Sequence, residues 1–306
     1  MTTSTVEEVR FRGQPAVRVV AGEVDATFLP DLGMTGVSLR CRGREHLALP
    51  GGLAALRAGA TLGLPLLAPW ANRLASRRYR AAGVDVDLAG RALNTDGNGL
   101  PIHGLLVGQP GWRIVRRWTR GAGAGFRAAI DVDDPAFPFP HRIEVAVAAR
   151  DRRLTLDTTV VPTASRAVPV AFGWHPYLRL PGSPRSRWLL RLPSRSHVSL
   201  DDRGIPTDGE QHEAGETEPI RRRTFDDLYV LGRDGHLALV ADDCAISMRA
   251  GTGYPYAQVW VPAGRPFAAL EPMTARTNSL VDGTAPLVEP GDDYTARFTL
   301  TVEEPT

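Results

Sequence analysis

The fold class of this chain is decided by Arg142-Ile-Glu-Val-Ala-Val-Ala-Ala149, by the polar connection at Asp151-Arg152, and by Leu154-Thr-Leu-Asp-Thr-Thr-Val-Val161. Both runs are short and rich in residues that favour extended backbone, and a brief polar turn separates them. Two such runs with a short connection pair as antiparallel strands. This stretch therefore predicts a β-hairpin.

The pattern recurs at the start of the chain. Four runs of alternating or β-branched residues are separated by turn-forming residues, and they predict an antiparallel meander over Thr5 to Arg12, Ala16 to Val20, Val24 to Leu29 and Thr35 to Cys41. A further hairpin is predicted from Arg78 to Leu88 around Ala82-Gly83, with Asp85 and Asp87 facing solvent.

The rest of the chain adds more strands and almost no helix. One short helix is predicted within Gly51 to Gly59, and the run Gly121-Ala-Gly-Ala-Gly125 is interpreted as a turn. Further strands are predicted at Trp112 to Trp118, Phe126 to Val132, Trp188 to Leu192, Leu237 to Ala241, Ala245 to Ala250, Ala257 to Val261, Phe267 to Leu270 and Tyr294 to Val302. We expect a large, all-β, antiparallel sandwich that forms one domain over residues 1–306.

Composition excludes several classes of function. The chain has 306 residues, a formal charge of +2 and no lysine, so all 36 basic residues are arginines. Lysine-based Schiff-base chemistry, pyridoxal phosphate anchored on lysine and Walker A phosphate loops are excluded. The low net charge gives no reason to expect nucleic-acid or membrane binding. Cys41 and Cys244 are too few for a disulfide framework, and residues 1–13 lack the apolar core of a signal peptide, so we expect a cytoplasmic protein.

Candidate chemistry is concentrated in Phe172-Gly-Trp-His-Pro-Tyr177. Pro176 favours extended backbone at His175, which places the imidazole at a strand end or loop start. Trp174 and Tyr177 suggest the wall of a cleft. A histidine packed as an ordinary core residue is the competing interpretation of this stretch.

Other polar residues lie in similar positions. Asn72 and Arg73 follow an apolar, proline-stiffened approach, and His103 lies in a glycine-rich loop. Asp226 follows a run of arginines, and Glu271 comes directly after an apolar strand. Each has a structural interpretation, such as an ion pair or a cap, but together they supply donors, acceptors and titratable groups at strand ends.

The chain resembles the aldose 1-epimerase, or galactose mutarotase, family as a divergent member. The resemblance rests on motifs in this order: Asn72-Arg73 after Pro69-Trp70, His103-Gly104, Gly173-Trp-His-Pro-Tyr177, Phe225-Asp-Asp227 and Glu271-Pro-Met-Thr274. It implies a β-supersandwich with an open sugar-binding cleft. It also implies interconversion of the α and β anomers of an aldose, with no metal or other cofactor, by a monomer or a homodimer.

The resemblance also assigns roles to residues. Glu271 matches the general base and His175 the general acid. The remaining matches, Asn72, Arg73, His103 and Asp226, are expected to bind the sugar. Separately from the resemblance, Trp174 is expected as a substrate-contacting aromatic in the cleft wall, with Trp70 and Trp260 as the alternatives for the apolar platform under the sugar ring. Ring opening requires a base and an acid at one carbon, and Glu and His have suitable protonation states near neutral pH at their ordinary pKa values of about 4.3 and 6.5.

Several alternatives stay open. His103-Gly104-Leu105 departs from the His-Gly-Gly of galactose-specific members, and arginines at the rim could instead hold a hexose 6-phosphate, with Arg77, Arg78, Arg80 and Arg179 as candidates. A glycoside hydrolase could use Glu271 with Asp226. A sugar-binding module on the same fold would need no acid–base pair. Asp227 competes with Asp226, although adjacent residues of a strand face opposite ways.

Overall fold

The computed structural model describes residues 4–303 and consists almost entirely of strands. One α-helix, α1 (Gly52–Arg57), and two 3-10 turns, Pro30–Leu32 and Arg185–Arg187, complete the regular structure of this part. The strands are, in chain order, β1 (Thr5–Phe11), β2 (Gln14–Ala21), β3 (Val24–Leu29), β4 (Thr35–Cys41), β5 (Arg44–Glu45), β6 (Leu66–Leu67), β7 (Arg78–Ala81), β8 (Val84–Asp87), β9 (Arg113–Arg120), β10 (Gly123–Asp134), β11 (Phe137–Arg150), β12 (Arg153–Pro162), β13 (Val168–Pro169), β14 (Gly173–Trp174), β15 (Tyr177–Leu178), β16 (Leu189–Leu192), β17 (Arg195–Leu200), β18 (Pro206–Glu213), β19 (Glu216–Pro219), β20 (Phe225–Leu231), β21 (His236–Ala241), β22 (Cys244–Ala250), β23 (Tyr256–Val261), β24 (Ala268–Met273), β25 (Leu287–Val288) and β26 (Tyr294–Glu303).

Two large antiparallel sheets form the body of the protein. The first has nine strands in the order β19-β16-β21-β22-β26-β12-β11-β10-β9, and the second has eight, in the order β18-β17-β20-β23-β24-β14-β6 with β15 also paired to β24. The sheets face each other, since Trp174 of the second contacts Phe298 of the first with ring centroids 5.9 Å apart. The prediction of an all-β antiparallel sandwich is confirmed.

The hairpin that decided the fold class lies inside the nine-stranded sheet, between β26 and β10. β11 pairs with β12 in continuous register from His141 opposite Pro162 to Arg150 opposite Arg153. Along β11 every second side chain is buried, including Ile143, Val145 and Val147. Burying each such side chain contributes about 1.5–3 kcal/mol relative to leaving it exposed, so alternation in the sequence is converted directly into a packed inner face.

The other predicted elements near the start of the chain are also present. β1 to β4 form the meander, in a separate five-stranded sheet that ends with β5. α1 occupies the predicted helical stretch, and β7 pairs with β8 as a hairpin. Asp85 and Asp87 are exposed and pair with Arg80 and Arg78, as the solvated-face interpretation requires.

The structure differs from the prediction in two kinds of segment. Only the first two residues of the glycine-rich run form a turn, because β10 begins at Gly123 and Gly125 lies beneath Trp118, where a Cβ would come within 2.3 Å of the ring. Strands β17 to β20 are not among the predicted strands. β18 and β19 are polar and largely exposed and lie at sheet edges, so they lack apolar alternation. The expectation of one domain over residues 1–306 includes residues outside the described range and stays a prediction.

Within residues 4–303, no helix has the length and apolar character needed to cross a membrane.

Candidate active site

The candidate site is a polar patch on the face of the eight-stranded sheet that points away from the other large sheet. One apolar cluster on this face contains Leu228 and Met273, and another contains Tyr177 and Phe267. Glu271 lies between them, opposite Gln258 in the register of β23 and β24. Apolar packing on both sides holds the strands that carry the polar groups.

Glu271 and His175 form the floor of the patch. Glu271 Oε1 lies 3.2 Å from His175 Nε2, and the two side chains are only 2% and 6% exposed. His175 occupies the break between β14 and β15, where its backbone N–H donates to Pro65 O at 3.1 Å. Its placement at a strand end follows the prediction, but Glu271 lies inside β24, which continues to Met273.

Aromatic side chains fix the plane of the His175 imidazole. Tyr177 stacks on it with centroids 4.5 Å apart and an interplanar angle of 17°. The Tyr177 hydroxyl is itself 2.9 Å from Thr61 Oγ1. Trp260 and His103 contact the imidazole edge-on, each at 5.5 Å. Because its neighbours enclose it on several sides, the ring keeps Nε2 directed at Glu271.

Burial changes the proton affinities of this pair. Desolvation raises the pKa of Glu271 well above its ordinary value, with the charge of Asp226 acting in the same direction and that of Arg73 opposing it. Desolvation lowers the pKa of His175 well below its ordinary value, with a smaller effect from His103. The assumption of ordinary pKa values is therefore wrong, because burial favours the neutral form of each group.

Arg73 is the centre of a second polar group at the site. Its Nε donates to Asp96 at 2.9 Å, its Nη1 to Asn72 Oδ1 at 3.0 Å and its Nη2 to Asp226 at 3.0 Å. The Arg73 side chain is only 15% exposed, whereas Asp226 is 46% exposed and lies at the rim. Because all three nitrogens of the planar Arg73 guanidinium are hydrogen-bonded, the group is held in one orientation.

Two neighbouring residues of this group adopt left-handed backbone conformations. Asn72 has φ 55° and His103 has φ 64°, and the His103 N–H donates to Asn72 O at 3.0 Å. Gly104 follows with φ 69°, and a Cβ there would lie 2.2 Å from Ala68 O. Burial, and then the charge of Arg73, lowers the pKa of His103 to about 3, so this ring is neutral and suited to hydrogen bonding. Such strained conformations cluster at functional sites.

Gln258 belongs to the site and was missed from the sequence. Its Nε2 donates to Asp226 Oδ1 at 2.7 Å, and its side chain is 1% exposed. The signal was present, because a lone amide interrupts the apolar run of β23 at a position that must be buried. Asp96 was missed as well, although its Asp-Gly-Asn-Gly context marks a tight loop.

Four buried polar atoms of this site have no hydrogen-bond partner within the described part of the chain: Glu271 Oε2, His175 Nδ1, His103 Nδ1 and Gln258 Oε1. Buried polar atoms nearly always have partners, and an orphan carries a free-energy cost of about 1–3 kcal/mol. Four unpartnered polar atoms in one patch make it the candidate binding site for a polar molecule.

Asp226 and Asp227 face opposite sides of β20, as strand alternation predicts. Asp226 binds Arg73 and Gln258 at the site. Asp227 lies 3.4 Å from His197 Nε2 and accepts from the Tyr229 hydroxyl on the other face. The structure therefore selects Asp226.

The expected substrate contact of Trp174 is wrong. Trp174 is fully buried, and its indole N–H donates to Thr158 Oγ1 of β12 at 3.0 Å. Alternation in β14 puts its ring on the face opposite His175, between the two large sheets. Trp70 is also buried, so Trp260 is the tryptophan that contacts the site.

Trp174→Phe is expected to lower the free energy of unfolding by about 1–3 kcal/mol, because it leaves a cavity and an unpaired Thr158 hydroxyl. Trp260→Phe is the matched control and should cause a smaller loss of stability, because Trp260 is only partly buried. Urea unfolding checks both variants, and a Trp174→Phe protein with wild-type stability would contradict the core placement.

Several proteins of known structure have the same architecture. The galactose mutarotase-like protein from Clostridium acetobutylicum has a TM-score of 0.86 at 18% identity over 99% of both chains. Galactose 1-epimerase from Lactobacillus acidophilus NCFM has a TM-score of 0.77 at 12% identity, again over 99% of both chains. A galactose mutarotase-like protein from Lactobacillus casei has a TM-score of 0.73 at 14% identity, over 94% of this chain and all of the other. The fold is thus the galactose mutarotase-like sandwich.

The family assignment comes from the sequence. The aldose 1-epimerase family model matches residues 42–301. The chain therefore belongs to the aldose 1-epimerase family. No curated protein matches it in a sequence search.

Proposed function

We propose that the protein is a mutarotase that interconverts the α and β anomers of a free aldose, with Glu271 as general base and His175 as general acid. The observation that carries the proposal is the 3.2 Å contact between Glu271 Oε1 and His175 Nε2 beneath a set of hydroxyl-binding groups. An acid and a base at one point are what ring opening requires.

The proposed reaction needs only these two groups and the sugar. Glu271 Oε2, which has no partner within the described residues, accepts the proton of the anomeric hydroxyl. As the C1=O bond forms, the bond from C1 to the ring oxygen breaks, and that oxygen takes a proton from His175 Nε2. Rotation about C1–C2 presents the other face of the aldehyde, and the same steps in reverse close the ring as the other anomer.

The pair carries one proton in this scheme. Burial alone favours that proton on Glu271, since both side chains are then neutral. The reaction needs it on His175, a transfer over the 3.2 Å contact. A sugar hydroxyl that donates to Glu271 Oε2 stabilises the carboxylate, so substrate binding itself favours the reactive distribution.

The surrounding groups match a polyol. Arg73 and the Gln258 amide supply donors, Asp226 supplies acceptors at the rim, and His103 supplies a neutral imidazole. Because each sugar hydroxyl is both a hydrogen-bond donor and an acceptor, neighbouring hydroxyls are complemented by a set of donors and acceptors side by side. Trp260 supplies an apolar surface beside them.

Three observations bear on the alternatives. In a glycoside hydrolase one carboxyl must donate a proton, but Asp226 accepts from Arg73 and Gln258, while a histidine lies beside Glu271. For a hexose 6-phosphate, three of the four candidate arginines are engaged elsewhere, because Arg78 and Arg80 are paired on an exposed hairpin and Arg77 donates to backbone carbonyls. A pure binding module would not need a carboxyl and an imidazole in contact. These points favour the free aldose.

Exchange NMR of the anomeric protons tests the proposal with glucose, galactose and glucose 6-phosphate. We expect faster exchange for at least one free hexose and little effect on glucose 6-phosphate. Saturating acceleration of glucose 6-phosphate alone would replace the free-aldose assignment by the phosphosugar one. Line broadening without faster exchange for any sugar would indicate a binding module.

A further inference from the structure

We propose that Asp96 is a positioning residue of this site: its carboxylate fixes Arg73 and the loop that leads to His103 in one arrangement, and so sets sugar affinity. The inference rests on the proposed function for its kinetic meaning, but its structural content concerns only Asp96 and Arg73.

Asp96 binds both partners through one carboxylate. Oδ2 accepts from Arg73 Nε at 2.9 Å, and Oδ1 accepts from the backbone N–H groups of Asn98 and Leu100, each at 2.9 Å. The Asp96 side chain is only 7% exposed. This buried carboxylate therefore accepts three hydrogen bonds, one from a guanidinium and two from the backbone, and it acts on the site through the groups that it holds.

The loop held by Asp96 ends at His103. Thr95 bridges to Pro101, and Ile102 N–H donates to Asn94 O at 2.9 Å. Ile102 also bridges to Arg73. Losing Asp96 would therefore release the guanidinium and loosen the loop next to the histidine at the same time.

Asp96 also decides which Arg73 nitrogens reach the rim. With Nε bound on the Asp96 side, Nη1 and Nη2 lie toward Asn72 and Asp226. Gly204, at φ 73°, lies against the guanidinium, where a Cβ would come within 2.9 Å of Nη1. Hydrogen bonds thus fix the plane of the Arg73 guanidinium, and Gly204 packs against one side of it. Its contact with Asp226 lies at the exposed rim.

The test is a double-mutant cycle of Asp96→Ala and Arg73→Gln, read as sugar dissociation constant, KM and kcat with the sugar that exchanges fastest. Asp96→Ala should raise KM about 10-fold, the scale of one charge-assisted hydrogen bond, with kcat changed less. Arg73→Gln should have a larger effect, and the loss in the double variant should be smaller than the product of the two single losses, because the part of the Asp96 effect that acts through Arg73 is already gone and only the loop contribution is left. Additive losses would overturn the proposal.

Asp87→Ala is the matched control, because Asp87 also binds an arginine Nε and a backbone N–H two residues on, but on the exposed β7–β8 hairpin. It should leave KM unchanged. A readout without sugar separates this proposal from the proposed function: the Arg73 Nε–H signal in NMR, assigned with Arg73→Gln, should be protected from solvent exchange in the wild type and lose protection in Asp96→Ala. Protection unchanged by Asp96→Ala would overturn the positioning role even if the protein is a mutarotase, and its loss would support that role even if no sugar is turned over.

Discussion

Glu271→Gln is expected to lower kcat/KM for anomer exchange about 10³-fold, within the range for removal of a positioned proton-transfer group. Gln has nearly the same shape but no basic oxygen. In the wild type, Oε1 contacts His175 and Oε2 has no hydrogen-bond partner among the described residues. The substitution therefore removes the proposed acceptor of the anomeric proton and leaves a side chain of the same size in its place. Exchange NMR of the anomeric protons measures the loss.

The fold should survive this change. Glu271 is buried, and a neutral amide is no costlier to bury than a carboxyl whose ionised form is disfavoured by desolvation. We therefore expect an unfolding midpoint equal to or above that of the wild type, and a sugar dissociation constant within a few-fold of it. A Glu271→Gln protein that retains most of its exchange activity would refute the assignment of the base.

His175→Asn is expected to have a similar effect, about 10²- to 10³-fold on kcat/KM, because the ring oxygen then loses its proton donor. Asn is smaller and removes the stacked ring contact with Tyr177 and the edge-on contact with Trp260, so some stability should be lost as well. The double variant should be no slower than the slower single one, because the two groups act as a unit. Multiplicative losses would show instead that the residues act independently.

The pH profile of kcat/KM checks the shared proton. A second proton on the pair requires protonation of His175, whose pKa is lowered, and loss of the only proton requires ionisation of Glu271, whose pKa is raised. The single-proton state therefore extends over a broad plateau, and activity should fall only on its acid and alkaline sides. A profile with a single limb near pH 6.5, unaffected by Glu271→Gln, would contradict this coupling.

Much of the architecture followed from local pattern. β3 and β4 have the predicted bounds, and the hairpin of β11 and β12 lies where alternation placed it. Edge strands such as β18 could not be found this way, because both of their faces are polar and their pairing with β17 is decided by the sheet.

The candidate site was only partly predictable. Motifs brought out Glu271, His175, Arg73 and His103, but residue type alone could not separate Trp174, which lies in the core, from Trp260, which lies at the site. Both are tryptophans in short strands. The face each one takes depends on the register of its strand with its neighbours.

The sequence by itself determined the strand content, the inner faces of the long hairpins and the family, because these depend on side-chain periodicity and on residue types in a fixed order. Only the tertiary structure decided that Glu271 and His175 touch, that both are desolvated, and that Asp96 and Gln258 complete the polar network. Contacts between distant strands, and the water they exclude, depend on how whole sheets pair and pack, and no local stretch of sequence contains that information.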